Sequence, residues 1–389
     1  MTPGSAGSTG GTPRIFISAA EPSGDRHAAS LIRAIHTQCP AAQFLGVAGP
    51  LMQAAGCLAI EDWTRQSAML VGAVRLAGRA YSLVHRVRRL LQTEPCNLAI
   101  LVDSPALHLP MAKHIKAARC PVLYYIAPQL WAWAPWRIGR MRRRVDRLAA
   151  ILPFEEPYFR QRGIDASFVG HPLVEQLTAD PADPTTVQRL KTLGQPLVAC
   201  LPGSRQHVIR EVLPGQIEVA QGIASQHPKA GFVFAAASAE AENTIRAKLG
   251  TPPFPLHIVT GRTTDLLAAA DLALCASGTA TLEVAWHRLP MVVMYNGSKW
   301  GYRLVGRWLI TTPHLCLVNI LAGRRVVPEF MPYYVSTAPI LAEALDILGN
   351  DERRVSMRQD LDAIIGSLGT DDAAQRTACM ALDMLRPVT

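Results

Sequence analysis

Short apolar runs alternate with segments of helical periodicity along most of this chain, and this alternation constrains the fold more than any other feature. In the first half, the runs typical of buried strands cover residues 14–20, 43–47, 98–102, 121–126, 147–152 and 167–169. In the second half, they cover residues 197–201, 231–236, 257–260, 271–275 and 291–294. Strands separated by helices predict parallel sheets with helices on their faces. The predicted class is therefore α/β.

A polar stretch rich in Pro and Asp, residues 179–186, interrupts this pattern near the middle of the chain. It predicts two doubly wound domains over residues 14–180 and 187–345, followed by a helical tail over residues 346–389. Residues 1–13 are mainly Gly, Ser, Thr and Pro, and we expect a disordered tail. In doubly wound sheets, ligands bind where strands end at their carboxyl side, so the site is expected in the loops after the strands.

Composition narrows the range of partners. The net charge of +9, from 39 basic and 30 acidic residues, favours an acidic partner such as nucleic acid, an anionic lipid surface or a phosphorylated substrate. No nucleic-acid-binding motif accompanies the charge, so nucleic acid is not the expected partner. No stretch reaches the ~18–20 continuous apolar residues of a membrane span, which favours a cytosolic protein able to touch a membrane.

The eight cysteines are scattered, without a Cys-x-x-Cys pair. Cys200 and Cys275 lie inside apolar strand-like runs. This pattern predicts buried free thiols in a reducing compartment, and neither disulfides nor a metal site.

The segment Ser277-Gly278-Thr279 follows a predicted strand and begins a predicted helix over residues 279–286. The first N–H groups of a helix have no helical partner and attract anions. Glu283 lies about one turn into the helix, and its carboxylate is suited to the two hydroxyls of a ribose. Together they predict a nucleotide-diphosphate site, with an ordinary N-capped helix and a solvated Glu283 as the alternative.

Ser204 and Arg205 follow Pro202-Gly203 after the strand at 197–201. Such a turn exposes main-chain amides, and the planar guanidinium of Arg205 is suited to a diphosphate. The alternative is a surface charge. Neither a Walker loop nor a Rossmann glycine fingerprint is present.

Loops after two strands of the first half carry groups suited to acid–base chemistry. Glu21 and His27 flank the segment Ser23-Gly24-Asp25, in which Asp25 is expected to cap a helix. Asp103 stands just past the strand at 98–102, where a carboxylate can serve as a general base. An N-cap role for Asp103 is the alternative.

Residues 70–91 predict a basic amphipathic helix, in which Leu70, Tyr81 and Leu91 belong to the apolar face. Its apolar arc is broad, which leaves membrane or acyl-chain contact open beside the more usual core packing. Tryptophans 131, 133 and 136 precede a run of arginines between residues 137 and 147. This group suits either a core or the interface between lipid and water.

Taken together, these segments resemble lipid-A-disaccharide synthase, a bacterial glycosyltransferase family of the two-domain GT-B type. The resemblance runs from about Ile15 to Phe330. It is carried by motifs in a fixed order: Glu21-Pro22-Ser23-Gly24-Asp25, Gly46-Val47-Ala48-Gly49-Pro50, Val102-Asp103-Ser104-Pro105, Ala127-Pro128-Gln129-Leu130-Trp131-Ala132-Trp133, Leu152-Pro153-Phe154-Glu155, Val169-Gly170-His171-Pro172, Leu201-Pro202-Gly203-Ser204-Arg205, Ser277-Gly278-Thr279-Ala280 with Glu283, and Asn319-Ile320-Leu321-Ala322-Gly323.

The resemblance implies two Rossmann-like domains facing a central cleft. It implies transfer of 2,3-diacylglucosamine from its UDP adduct to the 6-hydroxyl of 2,3-diacylglucosamine 1-phosphate, with inversion and without a metal or other cofactor. It places the protein on the inner face of the cytoplasmic membrane, an anionic surface. The family's essential acid matches Asp103, its diphosphate arginine Arg205 and its ribose carboxylate Glu283. Further site positions match Glu21, Ser23 and Asn319, and Gln129 lies in a matched segment.

The chain departs from the family pattern at two places. The family usually has Asp-x-Pro-Asp-Phe-Asn, beginning at its essential acid, and the last four of these positions are Pro105-Ala106-Leu107-His108 in this chain. A Glu that is usual three residues after the phosphate arginine is Val208 here. The single Asp-x-Asp, Asp360-Leu361-Asp362, lies in the helical tail and is expected to be a solvated helix face.

Three alternatives stay open at this stage. One is another GT-B enzyme for UDP-sugars, either a polyprenyl-acceptor N-acetylglucosaminyltransferase or an epimerase. Another is a catalytically idle membrane-binding paralogue. A nucleic-acid-binding module is supported by net charge alone. A homodimer is one of the assemblies considered.

Overall fold

The computed structural model describes residues 12–64, 73–132, 135–249, 254–297, 312–370 and 372–385, without the side chains of residues 73–76. The chain forms two compact units. The first comprises Met1–Pro172 and Thr370–Thr389, and the second comprises Leu173–Gly369. Each unit is built on its own parallel sheet with helices between the strands, as the apolar pattern predicted.

The sheet of the first unit has seven strands in the order β3-β2-β1-β4-β5-β6-β7. All neighbouring pairs are parallel. Because the winding direction reverses between β1 and β4, the loops after these two strands border the usual ligand crevice of such a sheet. The strands are β1 Arg14–Ala19, β2 Gln43–Val47, β3 Cys57–Glu61, β4 Leu98–Val102, β5 Val122–Tyr125, β6 Arg147–Ala150 and β7 Ala166–Phe168.

Helices connect these strands, and the last helix of the chain returns to the same unit. Leu31, Ile32 and Ile35 of α1 pack into the apolar core together with Ala378 and Ala381 of α16. The helices are α1 Pro22–Gln38, α2 Pro50–Ala54, α3 Ala73–Thr93, α4 Pro105–Ala117, α5 Ile138–Arg144, α6 Glu155–Arg160 and α16 Ala373–Leu385, with a 3-10 turn at Pro135–Arg137.

The sheet of the second unit has six parallel strands in the order β10-β9-β8-β11-β12-β13. Here the winding reverses between β8 and β11. The strands are β8 Leu197–Leu201, β9 Gly231–Ala236, β10 Leu256–Thr260, β11 Leu272–Ala276, β12 Met291–Met294 and β13 Glu329–Phe330. The helices are α7 Pro172–Ala179, α8 Pro184–Lys191, α9 Gln206–Gln226, α10 Ala239–Leu249, α11 Thr263–Ala269, α12 Ala280–Trp286, α13 Leu317–Ala322, α14 Ala338–Gly349 and α15 Asp351–Ser367.

The division between the units differs from the boundary that the sequence suggested. The polar stretch at 179–186 predicted a boundary near residue 180, and the units divide at Pro172 and Leu173. The described part of the tail at 346–389 consists of helices, as the sequence predicted, but they do not all belong to one unit. Helix α15 stays in the second unit, and α16 packs against α1 in the first.

Asp25 does not cap its own helix, contrary to the sequence interpretation. The helix begins three residues earlier, at Pro22, with Glu21 as N-cap. The buried carboxylate of Asp25 instead accepts hydrogen bonds from the N–H groups of Leu51 and Met52, at 3.0 Å each. It therefore caps the first turn of α2, where a Cβ at position 49 would lie 2.5 Å from the carboxylate and only glycine fits.

The cysteines are free thiols, and Cys200 and Cys275 are buried in strands as predicted. Within the described parts of the chain, no helix is long and apolar enough to cross a membrane. Leu70, Trp133 and residues 1–11 of the predicted tail lie outside the described residues.

Candidate active site

Asp103 lies in a strained turn at the end of β4. Asp103 and Ser104 have φ angles of 55° and 45°, in the left-handed region that residues other than glycine rarely occupy. Such a conformation carries strain of about 1–3 kcal/mol per residue and is frequent at functional sites. Ser104 is the N-cap of α4, so Asp103 does not have the capping role that was its alternative. The strained turn makes the Asp103 carboxylate a candidate functional group.

Three buried side chains fix the main chain of this turn. The Asp103 carbonyl oxygen accepts a hydrogen bond from the Tyr124 hydroxyl at 2.5 Å and lies 2.7 Å from Nδ1 of His108. The other ring nitrogen of His108 lies 2.8 Å from the hydroxyl oxygen of Ser18 on β1. We call Ser18, His108 and Tyr124 the Asp103 clamp.

Glu21 leaves the same edge of the sheet as Asp103. Ala19, the last residue of β1, is paired with Val102, the last residue of β4. A Cβ at position 24 would lie 3.8 Å from the Val102 carbonyl oxygen, so the first turn of α1 packs on the strand end that precedes Asp103. The structure therefore brings the Glu21 and Asp103 loops together. Ser23 is exposed on this first turn.

His27 lies one turn further along α1, close to His171. Burial, and secondarily the charge of Arg26, lowers the pKa of His27 to about 4. Burial lowers the pKa of His171 to about 4 as well, with the nearby His27 as a smaller cause. Both imidazoles are therefore neutral at pH 7.

The loop after β5 carries Gln129, which is exposed, and Trp131, which is buried. The indole N–H of Trp131 donates to Oε1 of Glu155. Oε2 of Glu155 accepts from the N–H groups of Ile151 and Leu152 at 3.3 and 3.1 Å. Trp131 is thus a core residue, and Glu155 joins the loops after β5 and β6.

The basic helix of the sequence analysis begins, in the described residues, as α3 at Ala73. Its second half packs inward through Leu83, Val84, Val87 and Leu91, which are all buried. Tyr81, in contrast, is 69% exposed. The predicted apolar face is therefore core over its second half, and the exposed part lies around Tyr81.

In the second unit, the turn after β8 requires glycine at position 203. Gly203 has a φ of 104°, and a Cβ there would lie 2.7 Å from Cγ1 of Val208. The same Cβ would lie 3.7 Å from Cβ of Ala276, the last residue of β11. Ser204 and Arg205 are exposed, and Arg205 is the N-cap of α9. This turn therefore lies beside the end of β11, from which the Ser277 segment begins.

The Ser277 segment forms the predicted strand–turn–helix. Gly278 has a φ of 145°, and α12 runs over Ala280–Trp286 with Thr279 just before it. The Thr279 side chain makes no capping bond, whereas Thr281 donates its hydroxyl hydrogen to the Gly278 carbonyl at 2.8 Å. Glu283 lies half-buried in the first turn. Because β8 and β11 are paired, the turn that carries Arg205 and the segment that leads into the helix of Glu283 start at the same edge of the sheet.

Tyr295 lies close enough to Glu211 and Arg205 to be affected by their charges, and neither Tyr295 nor Glu211 was singled out from the sequence. Tyr295 follows β12, and its pKa is raised to about 12 by burial and by a hydrogen bond to Glu211 of α9, against a smaller opposing effect of the Arg205 charge. The signal that could have found Tyr295 is its place directly after the strand at 291–294, since loops after strands form the site.

Asn319 has a supporting role in its own unit. The side chain is buried, and its Oδ1 accepts from the N–H groups of Val326 and Val327 at 2.8 and 3.0 Å. Its Nδ2 donates to the Val327 carbonyl at 3.0 Å. These bonds join α13 to the segment that leads into β13, so Asn319 shapes a loop through its amide group.

The Asp-x-Asp of the tail is engaged in ion pairs on α15. Asp360 pairs with Arg324 and Asp362 with Arg288. Asp362 is exposed as predicted, whereas Asp360 is half-buried. In the described ranges, no cluster of three or more His, Cys, Asp or Glu side chains could hold a metal ion.

The family model for lipid-A-disaccharide synthetase matches residues 15–384. The chain belongs to the lipid-A-disaccharide synthase family. It is 37% identical over 379 residues to the lipid-A-disaccharide synthase of Syntrophus aciditrophicus, covering 96% of this chain and 98% of the relative. It is 38% identical over 372 residues to that of Nitrosococcus oceani, covering 94% of each. It is therefore an enzyme of lipid A biosynthesis, a glycosyltransferase, and the other functions considered are not favoured.

Solved structures confirm the GT-B fold. A putative UDP-N-acetylglucosamine 2-epimerase of Listeria monocytogenes superposes with a TM-score of 0.64 at 14% identity, covering 94% of this chain and 95% of that one. The calicheamicin glycosyltransferase CalG4 superposes with a TM-score of 0.59 at 14% identity, covering 97% and 99%. At such low identity, the likeness concerns the fold alone.

Proposed function

We propose that the enzyme transfers 2,3-diacylglucosamine from UDP-2,3-diacylglucosamine to the 6-hydroxyl of 2,3-diacylglucosamine 1-phosphate, with inversion and without a metal. The products are the lipid A disaccharide 1-phosphate and UDP. Family membership supports the reaction, and the strained turn at Asp103 is the structural observation that carries the assignment of its chemistry. The first unit takes the acceptor, and the second takes the UDP-sugar.

Asp103 is the general base of this proposal. Its carboxylate takes the proton of the acceptor hydroxyl as the oxygen attacks the sugar and UDP leaves from the opposite face. A positioned base contributes about 10² to 10⁴ in rate. Its place at the winding reversal of the first sheet, beside the Glu21 loop, supports this role. Glu21 and His27 are the reserve candidates, and Ser23 and Gln129 are exposed groups available to the acceptor.

The UDP moiety binds to the two adjacent loops of the second unit. The Arg205 guanidinium stabilises the charge that develops on the diphosphate as the bond to the sugar breaks. Ser204 and the segment Ser277-Gly278-Thr279 contact the phosphate oxygens, and the Glu283 carboxylate accepts hydrogen bonds from the ribose hydroxyls. The adjacency of the Gly203 turn and the end of β11 supports this arrangement. Asn319 acts indirectly, through the loop that its amide fixes.

The lipid substrates require access to a membrane, and the first unit has a surface suited to one. Tyr81 and Trp136 are 69% and 61% exposed. Tyr81 lies in α3, and Trp136 lies in the 3-10 turn just before α5. Helix α4 packs against both α3 and α5. Exposed arginines accompany them at positions 79, 86, 88, 89, 140, 142 and 143. Aromatic and basic side chains of this kind bind the headgroup region of anionic membranes. The proposed location is the inner face of the cytoplasmic membrane.

The test is incubation of the purified protein with both substrates, followed by detection of UDP and of the disaccharide by mass spectrometry. Release of UDP must require the acceptor, and the new linkage must have the anomeric configuration opposite to that of the donor. Incubation with UDP-N-acetylglucosamine alone tests for an epimerase. Formation of a 2-epimer there, or the absence of disaccharide with both substrates present, would refute the proposal.

A further inference from the structure

The Asp103 clamp has a hydrogen-bond arrangement that defines the tautomer of His108. A carbonyl oxygen can only accept, so the ring nitrogen 2.7 Å from the Asp103 carbonyl, Nδ1, carries the hydrogen. In a neutral imidazole, Nε2 then accepts, and the Ser18 hydroxyl donates to it over 2.8 Å. The Tyr124 hydroxyl donates to the same carbonyl. Each contact of the clamp therefore pairs one donor with one acceptor.

All three members of the clamp are buried and uncharged. Ser18, His108 and Tyr124 are each 0% exposed. Burial lowers the pKa of His108 to about 4, against the smaller raising effect of the Asp103 and Val102 carbonyls. Burial and the Asp103 charge raise the pKa of Tyr124 well above its ordinary value, so its hydroxyl keeps its proton. All three side chains are therefore neutral at pH 7, as the hydrogen-bond arrangement requires.

We propose that His108, with Tyr124, is a positioning residue for Asp103 in the glycosyl transfer. Two donors on one carbonyl hold a main chain that would otherwise relax from its left-handed conformation. Relaxation would move the Asp103 carboxylate relative to the acceptor hydroxyl, and a displacement of about 1 Å can lower a rate by about 10²-fold. This inference rests on the proposed role of Asp103 as base.

The inference also accounts for a departure of this chain from the family pattern. His108 stands at the position where the family pattern given in the sequence analysis usually has Asn. An imidazole spans the distance from the Asp103 carbonyl to the Ser18 hydroxyl with its two opposite nitrogens. The shorter amide of Asn carries an N–H donor for the carbonyl but does not reach as far toward β1. We therefore expect His108→Asn to keep part of the function and His108→Leu, which has no donor, to lose it.

A matched control is available in the same unit. His36 is half-buried at the end of α1, with Nε2 3.0 Å from the Ala42 carbonyl just before β2 begins. It thus contacts a main-chain carbonyl at the amino edge of the sheet, opposite to Asp103. His36→Asn and His36→Leu remove a comparable contact without affecting the Asp103 turn.

The experiment measures kcat, KM for each substrate and thermal unfolding for these variants and for Tyr124→Phe. We expect His108→Leu to lower kcat by about 10- to 100-fold, with KM for the UDP-sugar changed less than about twofold. His108→Asn should recover part of the loss, and Tyr124→Phe should show a smaller loss of the same kind. The His36 variants should keep the wild-type kcat although their Tm changes by an amount similar to that of the His108 variants. Wild-type kcat in folded His108→Leu and Tyr124→Phe, or equal losses in the His36 variants, would overturn the inference.

A second measurement separates this inference from the proposed function. Nitrogen NMR of histidine-labelled protein reports the tautomer, and the His108 signal is assigned by its absence in His108→Asn. A neutral Nδ1–H tautomer from pH 5.5 to 8 is expected, and an Nε2–H tautomer or a titration near pH 6.5 would overturn the clamp. If instead Asp103→Asn keeps full kcat while the tautomer is as expected, the clamp stands and the role of Asp103 as base fails.

Discussion

The indole N–H of Trp131 donates to the Glu155 carboxylate over 3.0 Å inside the first unit. The carboxylate is 1% exposed and also accepts from two main-chain N–H groups. Burial raises the pKa of Glu155 from its ordinary 4.5 to about 7, although these hydrogen bonds lower it. The ionised form is therefore penalised in the folded chain near neutral pH.

This penalty predicts a pH dependence of stability. Because the folded pKa lies above the unfolded one, the contribution of Glu155 is fully present below about pH 4.5 and is lost as pH rises through 7. The loss amounts to about 3 kcal/mol of the free energy of unfolding. Glu155→Gln should remove it, so the unfolding free energy of the wild type relative to the variant should fall between pH 5 and pH 8 in urea titrations.

The comparison with the variant is needed because buried histidines act in the opposite direction. Burial lowers the pKa of His27, His108 and His171 to about 4, so each contributes stability above pH 6.5 that is lost as pH falls through 4. These effects are common to wild type and Glu155→Gln and cancel in the difference. Parallel pH profiles of the two proteins would show that Glu155 is not the titrating group.

Replacement of Asp103 tests the proposed base. Asp103→Asn keeps the size of the side chain and removes its basicity, so kcat should fall by about 10² to 10⁴ while binding of UDP-sugar barely changes. Steady-state rates and calorimetric titration with UDP provide both quantities. Asp165→Asn, an exposed carboxylate of the same unit, is the control. Near-normal kcat in Asp103→Asn beside an inactive Glu21→Gln or His27→Ala would transfer the role to the reserve residue.

Glu283→Ala should weaken UDP binding by about 2–3 kcal/mol, since two ribose hydroxyls would lose a charged acceptor. Arg205→Lys keeps the charge but loses the planar fork, so it should lower kcat more than it weakens binding. Calorimetry with UDP and steady-state kinetics measure these effects, and Glu240→Ala is an exposed control in the same unit. Unchanged UDP affinity in Glu283→Ala would remove the ribose assignment.

Activity should survive excess EDTA, because Arg205 is expected to stabilise the leaving diphosphate without a metal. The assay is UDP release before and after chelation, with Mg²⁺ and Mn²⁺ added back. Loss of activity that either ion restores would contradict the metal-independent mechanism.

Binding to anionic vesicles should weaken as salt rises, because attraction between charges is screened over about 8–10 Å at ordinary ionic strength. Tyr81→Ser combined with Trp136→Ser should weaken it further with an unchanged Tm, since both side chains are exposed. Val335→Ser, an 86% exposed apolar residue of the second unit, is the matched control. If the fraction of protein bound in vesicle flotation changes neither with salt nor in the double variant, the membrane-contact surface lies elsewhere.

Much of the fold was predictable because buried parallel strands are continuous apolar runs. The strands at 43–47, 98–102, 197–201, 231–236 and 291–294 have the predicted bounds. The strand β3 was missed although its first four residues, Cys57 to Ile60, are apolar; it lies at the sheet edge, where Leu58 is 71% exposed. The strand β13 has only two residues, Glu329–Phe330, too few for any pattern.

The loops of the candidate site were predictable from the sequence, whereas the contacts between its side chains were not. The position of Asp103 after an apolar run identified the turn, since the end of a strand is visible in the sequence. Its φ angle and the bond between Ser18 and His108, residues 90 positions apart, depend on sheet pairing that no local pattern encodes. The same holds for Asp25, whose partners Leu51 and Met52 belong to another helix.

The return of α16 to the first unit has a consequence for synthesis. The second unit is one continuous segment, Leu173–Gly369, whereas the first is assembled from both ends of the chain. Ala378, Met380 and Ala381 of α16 belong to the same apolar core as β1. Domains generally fold as units while the chain emerges from the ribosome. The core of the first unit therefore stays open until the whole of the second unit and then α16 have been translated.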